Sequence, residues 1–136
     1  MSKIEQTLSI IKPDAVERNL DNEIKQIFTN NGFSIIKEKK IQIEKAEAEK
    51  FYKVHETKPF YNDLCAYLSS GPIVVMVLEK NNAVLDNREL MGATNPKDAN
   101  EGTIRKMYGI SIDKNSVHGS DSAENAKIEI NFFFKD

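Results

Sequence analysis

Ile73-Val74-Val75-Met76-Val77-Leu78 is an unbroken apolar run rich in β-branched residues. A strand that is apolar at every position is covered on both faces, so this run predicts a central strand. Gly71-Pro72 before it reads as a turn. Working outward, Leu8-Ser9-Ile10-Ile11 predicts a first strand, ended by Lys12-Pro13-Asp14, because Pro13 cannot donate to a ladder. Phe33, Ile35, Ile41 and Ile43 alternate across another strand, with Ile36 on its other face and Lys37-Glu38-Lys39-Lys40 as its exposed part. Helical spacing relates Ile24, Ile27 and Phe28, and Asn31-Gly32 is a C-cap signal. Further helices are expected over Ala46 to Glu56, from Phe60 through Leu64, Tyr67 and Leu68, over Ala83 to Met91, and over Thr103 to Met107. A last helix runs from about Ser122 to Phe133, with Ala123, Ala126, Ile130 and Phe133 as its buried stripe. Gly92 to Gly102 reads as a structureless loop. Strands and helices without regular β-α alternation indicate an α+β domain, an antiparallel sheet with helices over it.

A chain of 136 residues is expected to form one domain, residues 1–136. A net charge of −2 and a pI near 5.8 leave no polybasic footprint, so no specific nucleic-acid partner is expected. The single Cys65 permits no internal disulfide and suits a reducing, cytoplasmic setting. The start, Met1-Ser2-Lys3-Ile4-Glu5-Gln6, lacks the apolar region of a signal peptide, and no run approaches a membrane span. Neither G-x-x-x-x-G-K-[ST] nor G-x-G-x-x-G occurs, so a bound nucleotide would be held without either common phosphate loop.

Chemistry concentrates in Asn115-Ser116-Val117-His118-Gly119-Ser120-Asp121-Ser122. Asp121 with Glu124 three residues later is a helix-start signal, which would put His118 just before a helix N-terminus, where anionic ligands are favoured. Gly119, lacking a Cβ, would let another group approach the imidazole. Such a histidine could take or give a phosphoryl group, although a lone His-Gly pair is more often a space-filling loop. Arginine is scarce, 3 of 19 basic residues, and Arg88 and Arg105 bracket the loop containing Thr94. Lys12 leaves a strand end as a lone cation or as a solvated lysine. Tyr52 and His55 share one helix face, ligand-lining or simply exposed, while Phe51 and Val54 share another, assigned to the core. Phe60, beside Pro59, is either core or a ring left open for stacking. Glu129 lies next to the apolar stripe and could look back towards His118.

The octet resembles the signature of nucleoside diphosphate kinases, N-x-x-H-G-[ST]-D-S, with every specified position filled. Ile-Lys-Pro-Asp at Ile11 to Asp14 is similar to that family's first-strand motif, and the likeness runs from about Thr7 to Phe133. The resemblance implies a ferredoxin-like βαββαβ core with a four-stranded antiparallel sheet. It implies transfer of the γ-phosphate of a nucleoside triphosphate to a nucleoside diphosphate, ping-pong, through a phosphohistidine on His118. Glu129, through Ser120, would orient the histidine, and Tyr52 would stand near the transferred group. Lys12 and Asn115 would bind the sugar; Lys12, Arg88, Arg105 and Thr94 the phosphates. Tyr52, His55 and Gly119 would line the nucleotide site. The base would stack on Phe60, with Ile112, where relatives more often have valine, closing the other side. Mg²⁺ would ride on the β- and γ-phosphates, with no protein side chain as ligand. A homo-oligomer is implied, a tetramer or hexamer of a common dimer. The rival readings are a non-catalytic nucleotide-binding or phosphohistidine-signalling protein on the same fold, and an oligomer scaffold. Asp21-Asn22 stands where the family has an apolar residue and glycine, and Asn, tolerating positive φ, is expected to keep that turn. The chain also stops soon after Phe132-Phe133-Phe134-Lys135-Asp136 begins, short of most relatives' tails.

Overall fold

The computed structural model describes residues 4–112 and 114–134, leaving aside the side chain of Val54. Met1 to Lys3, the core assignment of Val54, and the last two residues of the C-terminal stretch therefore lie outside the described residues. The elements run β1 (Ile4–Ile11), α1 (Pro13–Glu17), α2 (Asp21–Asn30), β2 (Ser34–Ile41), α3 (Lys45–Phe51), a 3₁₀ turn (Lys53–His55), α4 (Tyr61–Leu68) and β3 (Ile73–Asn81). Then follow α5 (Ala83–Met91), a second 3₁₀ turn (Pro96–Asp98), α6 (Ile104–Tyr108), β4 (Val117–Gly119) and α7 (Ala123–Phe133).

The apolar run at Ile73 is the inner strand β3, paired on one side with β2 and on the other with β1. The four strands lie in the order β2-β3-β1-β4, each neighbouring pair antiparallel. This is the ferredoxin-like α+β arrangement. Both faces of the sheet are covered, because alternate residues of β3 feed two separate cores. Val74, Met76 and Leu78 pack with Ile24 and Phe28 of α2 and with Ala83 and Met91 of α5. Ile73 and Val75 pack with Ala48 of α3, Cys65 and Leu68 of α4 and Phe133 of α7. The β2–β3 connection is thus filled by α3 and α4, which with α7 build the second layer.

The expected single alternation along β2 is overturned by a bulge. The register against β3 slips between Ile35 and Lys37. One extra residue flips every following side chain to the opposite face. Phe33 and Ile35 consequently join the α2 side, whereas Ile41 and Ile43 join the α3/α4 side, and Ile36 is left exposed.

Other boundaries shift in instructive ways. The helix expected through Glu56 ends at Phe51 and gives way to the tighter 3₁₀ turn. Asn22 lies inside α2, and the positive φ in that region belongs to Asn19, at 59°. The Asn31-Gly32 stop holds: Gly32 has φ 87°, the Phe33 N–H donates to the Phe28 carbonyl, and the two phenyl rings meet edge-on at 5.7 Å. The Gly92–Gly102 loop contains the 3₁₀ turn at Pro96, capped by the Asn95 side chain accepting from the Lys97 N–H. Ser122, not Asp121, caps α7: its hydroxyl accepts the Asn125 N–H, and Asp121 instead takes the Asn125 side-chain amide. Ala123 is exposed at the first turn, so the buried stripe of α7 begins at Ala126. Among the described residues, no helix is long and apolar enough to cross a membrane.

Candidate functional site

His118 is the middle residue of β4, opposite Ile10 on β1. It is therefore fixed by a sheet ladder rather than placed in a loop at a helix start. Its Nε2 lies 3.1 Å from Oε1 of Glu129, on the second turn of α7, and the Ser120 hydroxyl donates to the same oxygen at 2.8 Å. Ser120 is itself pinned: its Oγ accepts the Leu8 N–H at 3.3 Å, and its own N–H donates to the Leu8 carbonyl at 3.2 Å. In the neutral tautomer whose Nε2–H faces the carboxylate, Nδ1 keeps its lone pair. Phe51 meets the imidazole edge-on at 5.3 Å and Tyr52 at 6.3 Å. Phe51 is thus both core and support for the histidine, a second role that its apolar character gave no sign of. Burial, then the Glu129 carboxylate, pushes the Tyr52 phenol well above its ordinary pKa, so it is a neutral hydrogen-bond donor.

The histidine opens onto a cavity of about 1160 Å³. Lys12, Tyr52, His55, Phe60, Arg88, Thr94, Arg105, Ile112, Asn115, His118 and Gly119 all line it. Ser120 and Glu129 stand behind His118. Residues far apart in the chain are therefore brought together as expected, but several of them act differently from expectation.

Lys12 is not a lone cation. It is buried at the end of β1, and its Nζ donates to Asn115 Oδ1 at 2.9 Å. The Asn115 amide in turn donates to the Thr94 carbonyl at 3.0 Å. Arg105 is only 9% exposed, and its two terminal nitrogens donate to the carbonyls of Gly92 (3.0 Å) and Val117 (2.9 Å). It ties the loop to β4 and so is a structural brace as well as a cavity wall. Burial, with Arg88 nearby, pushes its pKa down to about 10, which leaves it charged at neutral pH. Arg88 is exposed on α5. Gly119 does not open space for a ligand: a Cβ there would run into the Asn87 amide and the Met91 side chain. It is glycine because α5 packs hard against β4.

From His118 outward the cavity floor is a row of rings. Tyr52 and His55 are 6.1 Å apart between centroids, and His55 and Phe60 6.0 Å. At the mouth Phe60 is 43% exposed and Ile112 is 54% exposed. Beneath the site, Asp14, Arg18, Tyr67 and Ser116 form a hydrogen-bonded cluster. Nothing local in the sequence marks these four for a site role, although Asp14 follows directly on Lys12-Pro13.

A four-stranded ferredoxin-like sheet presenting a carboxylate-oriented histidine to a cavity with three cationic side chains defines a class of protein built to handle anionic ligands. The comparisons with known proteins narrow that class. A family model described as nucleoside diphosphate kinase matches residues 5–136. A nucleoside diphosphate kinase of Granulibacter bethesdensis is 59% identical over 131 residues, 96% of this chain and 94% of that protein. One of Campylobacter jejuni is 58% identical over 132 residues, 97% of this chain and 96% of that one. The crystal structure of the Aquifex aeolicus nucleoside diphosphate kinase superposes with a TM-score of 0.96 at 38% identity, covering 98% of this chain and 96% of that one. The Encephalitozoon cuniculi enzyme gives 0.94 at 38% identity, over 97% and 90%. The chain belongs to the nucleoside diphosphate kinase family, and it is accordingly a phosphotransferase.

Proposed function

We propose that this nucleoside diphosphate kinase works by a ping-pong route through a phosphohistidine on His118. The carrying observation is the His118–Glu129–Ser120 arrangement at the inner end of the cavity. Nδ1 attacks the γ-phosphorus of a nucleoside triphosphate, the bond to the β-phosphate oxygen breaks, and the diphosphate leaves. A terminal oxygen of a second diphosphate then attacks the same phosphorus, and the N–P bonding pair returns to Nδ1. Glu129 holds Nε2–H throughout and so offsets the positive charge the ring gains while phosphorylated. Phosphoryl transfer depends chiefly on positioning and charge. Lys12, Arg88 and Arg105 supply the cations, Thr94 a hydroxyl, and Tyr52 a neutral donor beside the transferred group. Lys12 and Asn115 hold the sugar; Phe60 and Ile112 flank the base; His55 and Gly119 complete the wall.

Among the described residues, no three His, Cys, Asp or Glu side chains converge as a cation site. With Lys12, Arg88, Arg105 and Thr94 as the phosphate contacts, the site fits a divalent cation carried on the nucleotide, which we take to be Mg²⁺ and which would neutralise charge on the β- and γ-phosphates. The same reading makes residues 1–136 one nucleoside diphosphate kinase domain, acting in the cytoplasm as a homo-oligomer, a tetramer or hexamer of a common dimer. The buried Cys65 suits that compartment. The outer edge of β2 with exposed Ile36, and exposed Met107 and Ile110, are surfaces that copies would cover.

The test mixes the protein with ATP labelled on the γ-phosphate. Label bound in an acid-labile, base-stable form and released by GDP as GTP is the expected result. Label persisting in His118→Ala would overturn the assignment, and label found on His55 would name the other histidine instead.

A further inference from the structure

Ser116 is a non-glycine residue with φ 74°. Across it the Val117 N–H donates to the Asn115 carbonyl at 2.9 Å. A bond from i to i+2 over a positive φ is the strained hand of the γ-turn, a conformation an L side chain rarely adopts. Here it is fully buried and joins the two working parts of the site. Asn115, before the turn, holds Lys12; His118 lies two residues after it. The Lys12 N–H also donates to the Ser116 carbonyl, at 2.8 Å.

Something must hold such a turn in place. The Ser116 hydroxyl donates to Asp14 Oδ2 at 2.9 Å. Arg18 Nη2 donates to the same carboxylate oxygen at 3.2 Å and to Ser116 Oγ at 3.3 Å, and to the Tyr108 carbonyl at 2.6 Å. The Tyr67 hydroxyl donates to the other oxygen, Oδ1, and accepts the Asp14 N–H at 2.8 Å. Asp14 is buried, and both of its oxygens are used. None of Asp14, Arg18, Tyr67 or Ser116 lines the cavity. A carboxylate with every contact inside the protein and one of them on a strained residue serves geometry, not ligand.

We propose that Asp14 is a positioning residue for phosphoryl transfer: by gripping Ser116 and Arg18 it holds the strained turn that sets the Lys12–Asn115 pair and His118 relative to each other. The inference rests on the reading of His118 as nucleophile and of Lys12 and Asn115 as nucleotide contacts. It makes a distinctive demand. Ser116→Ala removes the grip and keeps the strain. Ser116→Gly removes the grip and the strain together, because glycine populates positive φ freely. Asp14→Asn keeps the shape but has one acceptor oxygen for the three donors, Ser116, Arg18 and Tyr67.

The experiment measures kcat, KM and thermal midpoint for these three variants and for the double variant Asp14→Asn/Ser116→Gly, in ATP-to-GDP transfer. Loss of a buried hydrogen bond to a charged group corresponds to a factor of about 10–100. Ser116→Ala and Asp14→Asn are expected to lose that factor in kcat per folded molecule, with KM changing less. Ser116→Gly should recover most of the rate, and Asp14→Asn should do less harm on the glycine background than on the serine one. Thermal midpoints that fall while kcat per folded molecule stays unchanged would make Asp14 merely structural. A Ser116→Gly variant as slow as Ser116→Ala would show that strain is not what Asp14 holds. If Asp14→Asn does not fold, the Ala and Gly variants at Ser116 decide alone. His118→Ala runs beside them: label surviving there defeats the underlying reading, whereas label lost there with Ser116→Ala fully active defeats only the proposal.

Discussion

The two ends of the cavity are built on opposite plans. At the inner end His118, Ser120, Glu129, Lys12 and Asn115 are buried or half-buried, and each hydrogen-bonds a protein partner. At the mouth Phe60 and Ile112 are exposed apolar surfaces. A preorganised polar end can discriminate among positions of a phosphate and a sugar, because a misplaced group leaves buried donors unpaired. Two apolar flanks can only stack and exclude water, and every base offers a π-face. On the proposed reading the enzyme would be strict about what all nucleotides share and permissive about what distinguishes them.

That contrast can be broken at either end. The largest effect is expected from Glu129→Gln, which keeps the shape of the side chain but weakens its hold on Nε2. We expect kcat to fall about 10–100-fold with the thermal midpoint little changed; a variant with full kcat would show that the carboxylate does not orient the ring. Arg105→Met comes next. It leaves the carbonyls of Gly92 and Val117 without their donor, at about 1–3 kcal/mol each. Calorimetry should show a clear destabilisation together with lost activity, and an unaltered melting profile would mean that the brace is unimportant. Arg88→Ala should separate from it cleanly. Being exposed, Arg88 should leave stability within about 0.5 kcal/mol while weakening nucleotide binding about tenfold; equal losses of stability in both variants would erase the distinction. The smallest effect belongs to the mouth. Phe60→Ala should weaken binding of all nucleotides together by about fivefold, the lower end of stacking energies. In the parent protein kcat/KM should span no more than about 10–200-fold across adenine, guanine, cytosine, uracil and thymine. A preference of about 10⁴ for one base would reveal a polar group reading its edge.

The sequence made the two ends unequally legible. Phe60, Ile112, Arg88 and Thr94 needed only to line the cavity, and residue type together with family likeness is enough to bring them to it. Lys12, Arg105, Gly119 and Ser116 depend on contacts made across the fold. Lys12 looked like a lone cation because its partner Asn115 is 103 residues away. Arg105 looked like a free phosphate hook because nothing local marks a carbonyl on β4 as its target. Gly119 looked like room for a ligand, yet it is room for α5. Apolar runs and turns locate β1, β2 and β3, but the register slip between Ile35 and Lys37 depends on pairing with β3 and has no local mark in Ile35-Ile36-Lys37-Glu38-Lys39-Lys40-Ile41. His118 itself was found by its octet, while its place on a strand was not: three residues are too short a strand to show a period.

The central claim is that Glu129 occupies Nε2 and leaves Nδ1 of His118 to take the phosphoryl group. The direct measurement is the isomer of phosphohistidine formed with ATP, read by ³¹P NMR of the denatured protein and by comparison with the two phosphohistidine standards after alkaline hydrolysis. The account requires phosphate on Nδ1 of His118. Phosphate on Nε2, or on any other residue, would contradict it.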